Sequence, residues 1–252
     1  MADGTLDLDP LAPGEGRRME RAVAAVRHAI DTGRMVPGVK YSVYQLAEVL
    51  GISRTPVREA LLRLEEVGIV KFEARQGFRI LLPEPKEIAE IFAVRLALEL
   101  PAARRAASVV DDALREALRQ QCRLMRAAAA AGDEHLFARH DMLFHDLILA
   151  AAGNERARSI VQGLRETTRL LGASTAEKDR GLRDIEAEHA PVLDGILAAR
   201  PDAAAAAMYA HLVNTGKLLV AQGVHEGAEP SAEEIWSAVV PEGASQAPRP
   251  MP

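Results

Sequence analysis

The stretch Ser53-Arg54-Thr55-Pro56-Val57-Arg58-Glu59-Ala60-Leu61, continued by Leu64-Glu65 and Gly68, decides how the rest of the chain is read. Ser53 is a suitable N-cap and Pro56 fits a first helical turn. Apolar residues then recur with helical spacing at Val57, Ala60, Leu61 and Leu64. That stripe turns Arg54, Thr55 and Arg58 away from a core. Just upstream, residues 46–52 predict a short amphipathic helix closed by a turn at Gly51. Two short helices, a glycine turn and an arginine-bearing second N-terminus make a helix-turn-helix, with Ser53, Arg54, Thr55 and Arg58 placed to meet DNA. Taken alone, the pair reads equally well as an ordinary αα-corner with two solvated arginines.

The next segment of the chain shifts that balance. Residues 69–73 and 78–82 are short β-prone runs, with Arg75-Gln76-Gly77 between them as a turn. A hairpin directly after a recognition helix is a wing. Arg75 gives it a basic tip, and Gly77 allows close approach of backbone to a sugar-phosphate in the minor groove.

Residues 18 to 82 resemble the winged-helix domain of the GntR family of bacterial transcription regulators, on the segments LAEVLGISRTPVREALLRLEEVGIV (46–70) and GFRI (77–80). The resemblance implies operator contacts from Ser53, Arg54, Thr55 and Arg58, with Gly77 in the minor groove. The Pro-Gly turn that usually opens this region is present as Pro37-Gly38. Many relatives carry charged residues where this chain has Tyr41, Ser42, Val43 and Tyr44, so the resemblance carries no DNA contact over to that segment.

Charge distribution agrees. The 252-residue chain has a net charge of −5, yet residues 17–82 hold 12 Lys/Arg against 7 Asp/Glu. Residues 83–252 hold 19 against 25, and the first 16 residues add four acids. Basic character therefore collects on the expected DNA-binding head. No long uncharged apolar run and no signal-peptide pattern is present, which predicts a cytoplasmic protein without a membrane span. The single cysteine, Cys122, excludes an intrachain disulfide framework and falls in a helical pattern as a core residue.

Pro83-Glu84-Pro85 marks a domain boundary. Beyond it, every periodic segment to about residue 224 is helical, over 85–108, 112–131, 134–152, 154–172, 176–199 and 201–222. The expected architecture is mainly α: a disordered stretch over 1–16, a winged helix of three helices plus a β-hairpin over 17–82, an antiparallel helical bundle over 83–225, and a mostly irregular tail over 226–252. A short helix over 232–239 and a docking role for Trp236 are left open.

Within the bundle, Asp141 and His145 lie one turn apart on a helix face, and His189 and His211 sit among apolar neighbours on the last two helices. Single histidines on apolar helix faces are more often satisfied core residues, and these separations match no self-sufficient metal signature. One carboxylate and three imidazoles converging in a bundle core would nonetheless suit a divalent transition metal.

Residues 85 to 222 resemble the all-helical FCD-type effector domain of the FadR branch of the same family, on DMLFHDLI (141–148) and EAEHAPVLDGILAARPDAAAAAMYAHL (186–212). The resemblance implies that Asp141, His145, His189 and His211 bind a metal such as zinc, nickel or manganese. It also implies a small carboxylate effector beside that metal. Arg95, one turn from Glu99, is expected either to fork that carboxylate or to pair with Glu99; Asn214 is a further candidate contact.

The expected protein is a homodimeric transcription regulator on double-stranded operator DNA, a repressor relieved by an organic acid, and not an enzyme. A metal-responsive regulator without an organic effector and a metal-dependent hydrolase are the alternatives.

Overall fold

The computed structural model describes residues 6, 8–11, 18–66, 68–73, 77–81, 84–178, 180–224 and 229–240, with side chains at all of these except 31 and 169–178. The chain divides into two compact units, residues 1–83 and 84–252.

In the first unit, helix α1 (Arg18–Asp31) precedes strand β1 (Lys40–Tyr41), helices α2 (Val43–Leu50) and α3 (Arg54–Glu66), and strands β2 (Val70–Glu73) and β3 (Gly77–Ile80). The apolar stripe of α3 is buried at Val57, Ala60, Leu61 and Leu64. Helix α3 packs on α1, α2 and β2, and Val26, Leu46, Leu50, Val70, Phe78 and Ile80 are buried in the same unit. Arg54, Thr55 and Arg58 face outward, as their spacing against that stripe predicts.

Three local features differ from the sequence reading. Helix α2 begins at Val43, ahead of the expected Leu46, because the Ser42 hydroxyl accepts from the Tyr44 and Gln45 N–H groups and caps it there. The wing is a three-stranded antiparallel sheet of order β1-β3-β2, with Tyr41 opposite Phe78 and Phe72 opposite Phe78 on the other side. The third strand was hidden by its two-residue length. Tyr41 is buried on Phe78, and its hydroxyl accepts from the Val36 N–H at 2.7 Å. Finally, part of the stretch expected to be disordered over 1–16 is anchored: Leu11 N–H donates to Leu50 O, and Asp9 pairs with Arg34 at 3.2 Å. The remainder of that stretch lies outside the described residues.

The second unit is built from helices α4 (Pro85–Val109), α5 (Asp112–Ala131), α6 (Glu134–Ala152), α7 (Glu155–Lys178), α8 (Leu182–Leu197) and α9 (Pro201–Gln222), with α10 (Ala232–Val239) following. Asp111 and Asp133 cap α5 and α6, each through a 2.8 Å bond from the third helical N–H. Gly132 and Gly153 close α5 and α6 in left-handed conformation. Helix α4 runs through the middle, packed on α9, α6, α8 and α7.

The break expected at 172–175 is displaced. One glycine costs a helix only about 1 kcal/mol, and α7 continues through Gly172 to Lys178. The chain restarts at Gly181, whose N–H is taken by the Asp184 carboxylate at 2.9 Å. The short helix left open over 232–239 is present as α10, and its Trp236 is buried against the bundle. Cys122 is buried in the bundle core, and burial pushes its thiol up to about 12.

Candidate functional site

In the first unit, Ser53, Arg54, Thr55 and Arg58 stand exposed at the N-terminal end of α3. Arg54, Thr55 and Arg58 border a cleft of about 1120 Å³ between that end, the start of α2 and the wing, lined also by Lys40, Tyr44, Phe72 and Gly77. The Arg58 guanidinium lies over the Phe72 ring at 5.4 Å, which orients it across the cleft mouth. Lys40 escaped the sequence reading, and Tyr44, in the segment to which no DNA contact was carried over, stands 62 % exposed at the edge of the cleft.

Arg75 lies outside the described residues. Gly77 has a φ of +104°, and a Cβ built on it would sit 2.1 Å from the Tyr41 carbonyl oxygen. Glycine is required there to let β1 close on β3, independently of any approach to DNA.

In the second unit, the bundle brings Asp141, His145, His189 and His211 together, with one ligand atom from each inside a span of 4.8 Å. All three imidazoles are buried, with ring centroids 4.4 to 5.5 Å apart. Each Nδ1 has an acceptor. His145 Nδ1 meets Glu99 Oε2 at 2.6 Å, His189 Nδ1 meets the Ile185 carbonyl at 2.9 Å, and His211 Nδ1 meets Glu188 Oε2 at 3.1 Å. A carbonyl or an ionised carboxylate can only accept, so His145 and His211 hold their proton on Nδ1 and keep a lone pair on Nε2, whereas His189 faces an acceptor through both nitrogens, Nε2 lying against the Asp141 carboxylate.

Charge on this cluster is tightly managed. Burial, then the nearby Arg165, pushes His145 down to about 3; burial and His189 push His211 down to about 4. Burial works against the Asp141 carboxylate, yet Arg165, His189 and His145 hold it well below the usual range. Glu188 is held at about 2 against burial by His211 and Arg180, and Glu99 is kept ionised against burial mainly by Arg95. His145 and His211 are therefore neutral imidazoles beside an ionised carboxylate, the protonation state a divalent metal takes.

Two observations show that these donors fit a cation. His145 Nε2 is buried without a hydrogen-bond partner among the described residues, 3.8 Å from Asp141 Oδ1. His189 Nε2 and Asp141 Oδ1 lie 2.8 Å apart, both acceptors once His189 holds its proton on Nδ1. A shared cation, or a proton carried on His189 Nε2, is what reconciles that contact.

Arg95 is 4 % exposed and committed to Glu99, with Nε 2.8 Å from Oε1 and its guanidinium 4.6 Å from the centre of Phe92. It stands behind His145, as the pairing alternative predicts. Asn214 donates to Glu188 Oε1 at 2.5 Å, behind His211. The sequence reading missed Arg165, which donates to Asp141, and Arg180, which donates to Glu188 and Thr215. Arg165 had a signal, since it occupies a position in the buried face of α7 beside Ala157, Val161 and Thr168. His140, left out of the ligand set, bonds Gln121 instead.

Comparison with known proteins places both units. Residues 18–80 match the family model for bacterial regulatory proteins, gntR family, and residues 90–214 match that for the FCD domain. An HTH-type transcriptional regulator of Agrobacterium vitis is 37 % identical over 138 residues, covering 54 % of this chain and 81 % of the relative. A protein of Paenarthrobacter nicotinovorans named "Probable D-xylose utilization operon transcriptional repressor" is 32 % identical over 186 residues, covering 73 % and 80 %. The solved structure of Escherichia coli McbR superposes with a TM-score of 0.71 at 22 % identity, covering 82 % of this chain and 99 % of McbR, and so shares the fold. Among the described residues, no helix is long and apolar enough to cross a membrane.

Proposed function

The chain belongs to the GntR family of bacterial regulatory proteins and carries an FCD domain, and from that premise we propose a homodimeric repressor whose hold on its operator is set by a small organic acid bound at a divalent-cation site in the bundle. DNA binding and transcription regulation come with the family; the cation, the acid, the dimer and the sign of control are the reading offered here. Repressors among the relatives favour the sign.

One observation carries the receptor half: four donor atoms within 4.8 Å, with Glu99 and Glu188 on the far nitrogens of His145 and His211 and His145 Nε2 left unpartnered among the described residues. Asp141, His145, His189 and His211 would hold the cation, and the mixed nitrogen-oxygen set suits zinc, nickel or manganese. When bound, such an ion supplies a Lewis-acidic anchor for a carboxylate. Glu99, Ile185 O and Glu188 fix the ring orientations, the role that outer partners play in metal sites.

In the head, two copies of α3 would enter successive major-groove half-sites, with Arg54 or Arg58 reading base edges. Lys40 and Arg54 beside the cleft supply phosphate neutralisation, so affinity falls steeply with salt. Coupling between acid and operator of about 1–3 kcal/mol changes occupancy roughly five- to 150-fold.

The test is operator binding by fluorescence anisotropy, on a fragment obtained by in vitro selection, with chelator-stripped protein, protein plus zinc, and protein plus zinc and a panel of carboxylic acids. An acid response that requires zinc is expected. A response to zinc alone, with every acid silent, identifies a metal sensor, and no response to either removes the receptor reading.

A further inference from the structure

Helix α10 lies beyond the matched FCD segment, which ends at residue 214, and it is docked on the bundle by both packing and charge. Trp236 is 4 % exposed. Its six-membered ring sits against α9 at Gly216, where a Cβ would lie 2.4 Å from Cζ3, 2.5 Å from Cη2, and 2.8 Å from Phe92 Cγ. No larger residue at 216 leaves room for both rings. Lys217 binds both Glu233 oxygens, at 2.9 and 3.0 Å, and ties α10 to α9 from outside. Around Trp236, Val240 is buried in the same core and Ala232, Ile235 and Val239 pack against it.

From that indole an unbroken series of contacts leads to the cation site. The Trp236 and Phe92 rings are 6.2 Å apart at 53°. Phe92 carries the Arg95 guanidinium on its face at 4.6 Å. Arg95 Nε holds Glu99 Oε1 at 2.8 Å, and Glu99 Oε2 holds His145 Nδ1 at 2.6 Å. Arg95, Glu99, Phe92 and His145 are all buried, so none can swing into water to accommodate a shift in its neighbour.

We propose that α10 is a positioning element of the cation site: Trp236, through Phe92 and Arg95, fixes the Glu99 carboxylate that aims His145. This rests on the proposed cation site. It assigns a function to the C-terminal helix, and it makes the indole a built-in reporter of site occupancy, since Trp236 is the single tryptophan of the chain.

The experiment uses the full chain, stripped with chelator and titrated with zinc, a closed-shell ion without redox chemistry. Bound zinc is measured by chelator competition, and tryptophan emission is followed in the same samples. Wild-type emission is expected to change and to saturate with bound zinc, and His145→Ala is expected to abolish the change. Trp236→Ala should lower zinc affinity on the order of tenfold, the lower end of what outer partners of a metal ligand contribute, and Trp236→Phe should recover most of it. Leu118→Ala, a core lesion on α5, controls for lost stability and should lower the melting temperature without that change in affinity. Zinc binding with silent emission and full affinity in Trp236→Ala overturns the coupling and leaves the site standing. A wild type that binds no zinc overturns both. If Trp236→Ala does not fold, the wild-type emission titration alone decides.

Discussion

Glu99→Gln isolates the tautomer argument on which the cation site depends. The Glu99 side chain is 1 % exposed and that of its partner Arg95 is 5 % exposed, so the substitution leaves a guanidinium buried without its counter-charge. Breaking a buried pair costs about 3–5 kcal/mol. Glutamine keeps the shape and can still accept from Arg95 Nε, which places the loss at the low end, about 3 kcal/mol. In a unit of this size that lowers the melting temperature by roughly 6–12 °C. The sharper consequence concerns His145. A glutamine whose oxygen faces Arg95 turns its NH2 toward His145 Nδ1, so that nitrogen must accept and the proton moves to Nε2. The nitrogen aimed at Asp141 then has no lone pair to offer. Zinc affinity should fall about 10- to 100-fold, as with other lost outer partners of ligating histidines. Thermal melts by circular dichroism and zinc affinity by chelator competition measure the two effects separately. A lowered melting temperature with unchanged zinc affinity would refute the tautomer assignment, and with it the role given to Glu99.

The same contacts fix the outcome of other perturbations. Arg58→Ala should abolish specific operator binding, through about 1–3 kcal/mol of lost base discrimination per half-site, while the helical spectrum and dimer stay intact; an unchanged gel-shift affinity removes the base-reading assignment. Gly77→Ala sets a Cβ against the Tyr41 carbonyl at a φ of +104°, at a cost of about 1–3 kcal/mol. Amide exchange at Tyr41 and Phe78 should accelerate, and protection equal to wild type would show that β1 does not depend on glycine there. On acidification, His145 and His211 protonate near an ordinary 6.5 in the unfolded chain but only at about 3 and 4 when folded, so the unfolded state gains protons first. Cation-free protein should therefore lose stability as pH falls from 6.5 toward 4, and Glu188, which drops from 4.5 to about 2 on folding, extends the loss below that. A melting temperature that held steady across that range would contradict the buried, neutral imidazoles.

The elements most legible in sequence were those whose signal is periodic and whose ends are chemical. The stripe of α3 and the starts of α5 and α6, capped by Asp111 and Asp133, follow from local rules alone. Strand β1 was invisible because two residues carry no period; it exists through pairing with β3, a contact 37 residues away. Glycine misled at 172, where α7 continues through it, and at 77 the structure gives a reason the sequence did not, the close approach of the Tyr41 carbonyl that excludes any side chain. Of the cation site, the inner donors could be named because Asp141 and His145 share a helix face and the family pattern supplies the others. The outer layer could not. Arg165 lies 24 residues from Asp141, and Glu99 lies 46 from His145, so only the packing of α4, α6 and α7 brings those partners together.

That outer layer has a regularity that bears on what the site can do. Each carboxylate of the cluster is paired with one arginine and one histidine: Arg95 and His145 on Glu99, Arg165 and His189 on Asp141, Arg180 and His211 on Glu188. With His145 and His211 neutral, three guanidiniums balance three carboxylates in these pairs. A site balanced in this way does not need a cation in order to fold, unlike metal sites whose ligands scatter when the ion leaves. The same balance means that a divalent ion entering the cluster leaves two positive charges uncompensated in a region of low dielectric, where unpaired charge is costly. An anion from solvent is the group that relieves it. The organic acid proposed as effector would thus have a cause in the counting of charges on α4, α6, α7, α8 and the α7–α8 turn, and the cation and the acid are expected to bind the bundle as mutually dependent ligands.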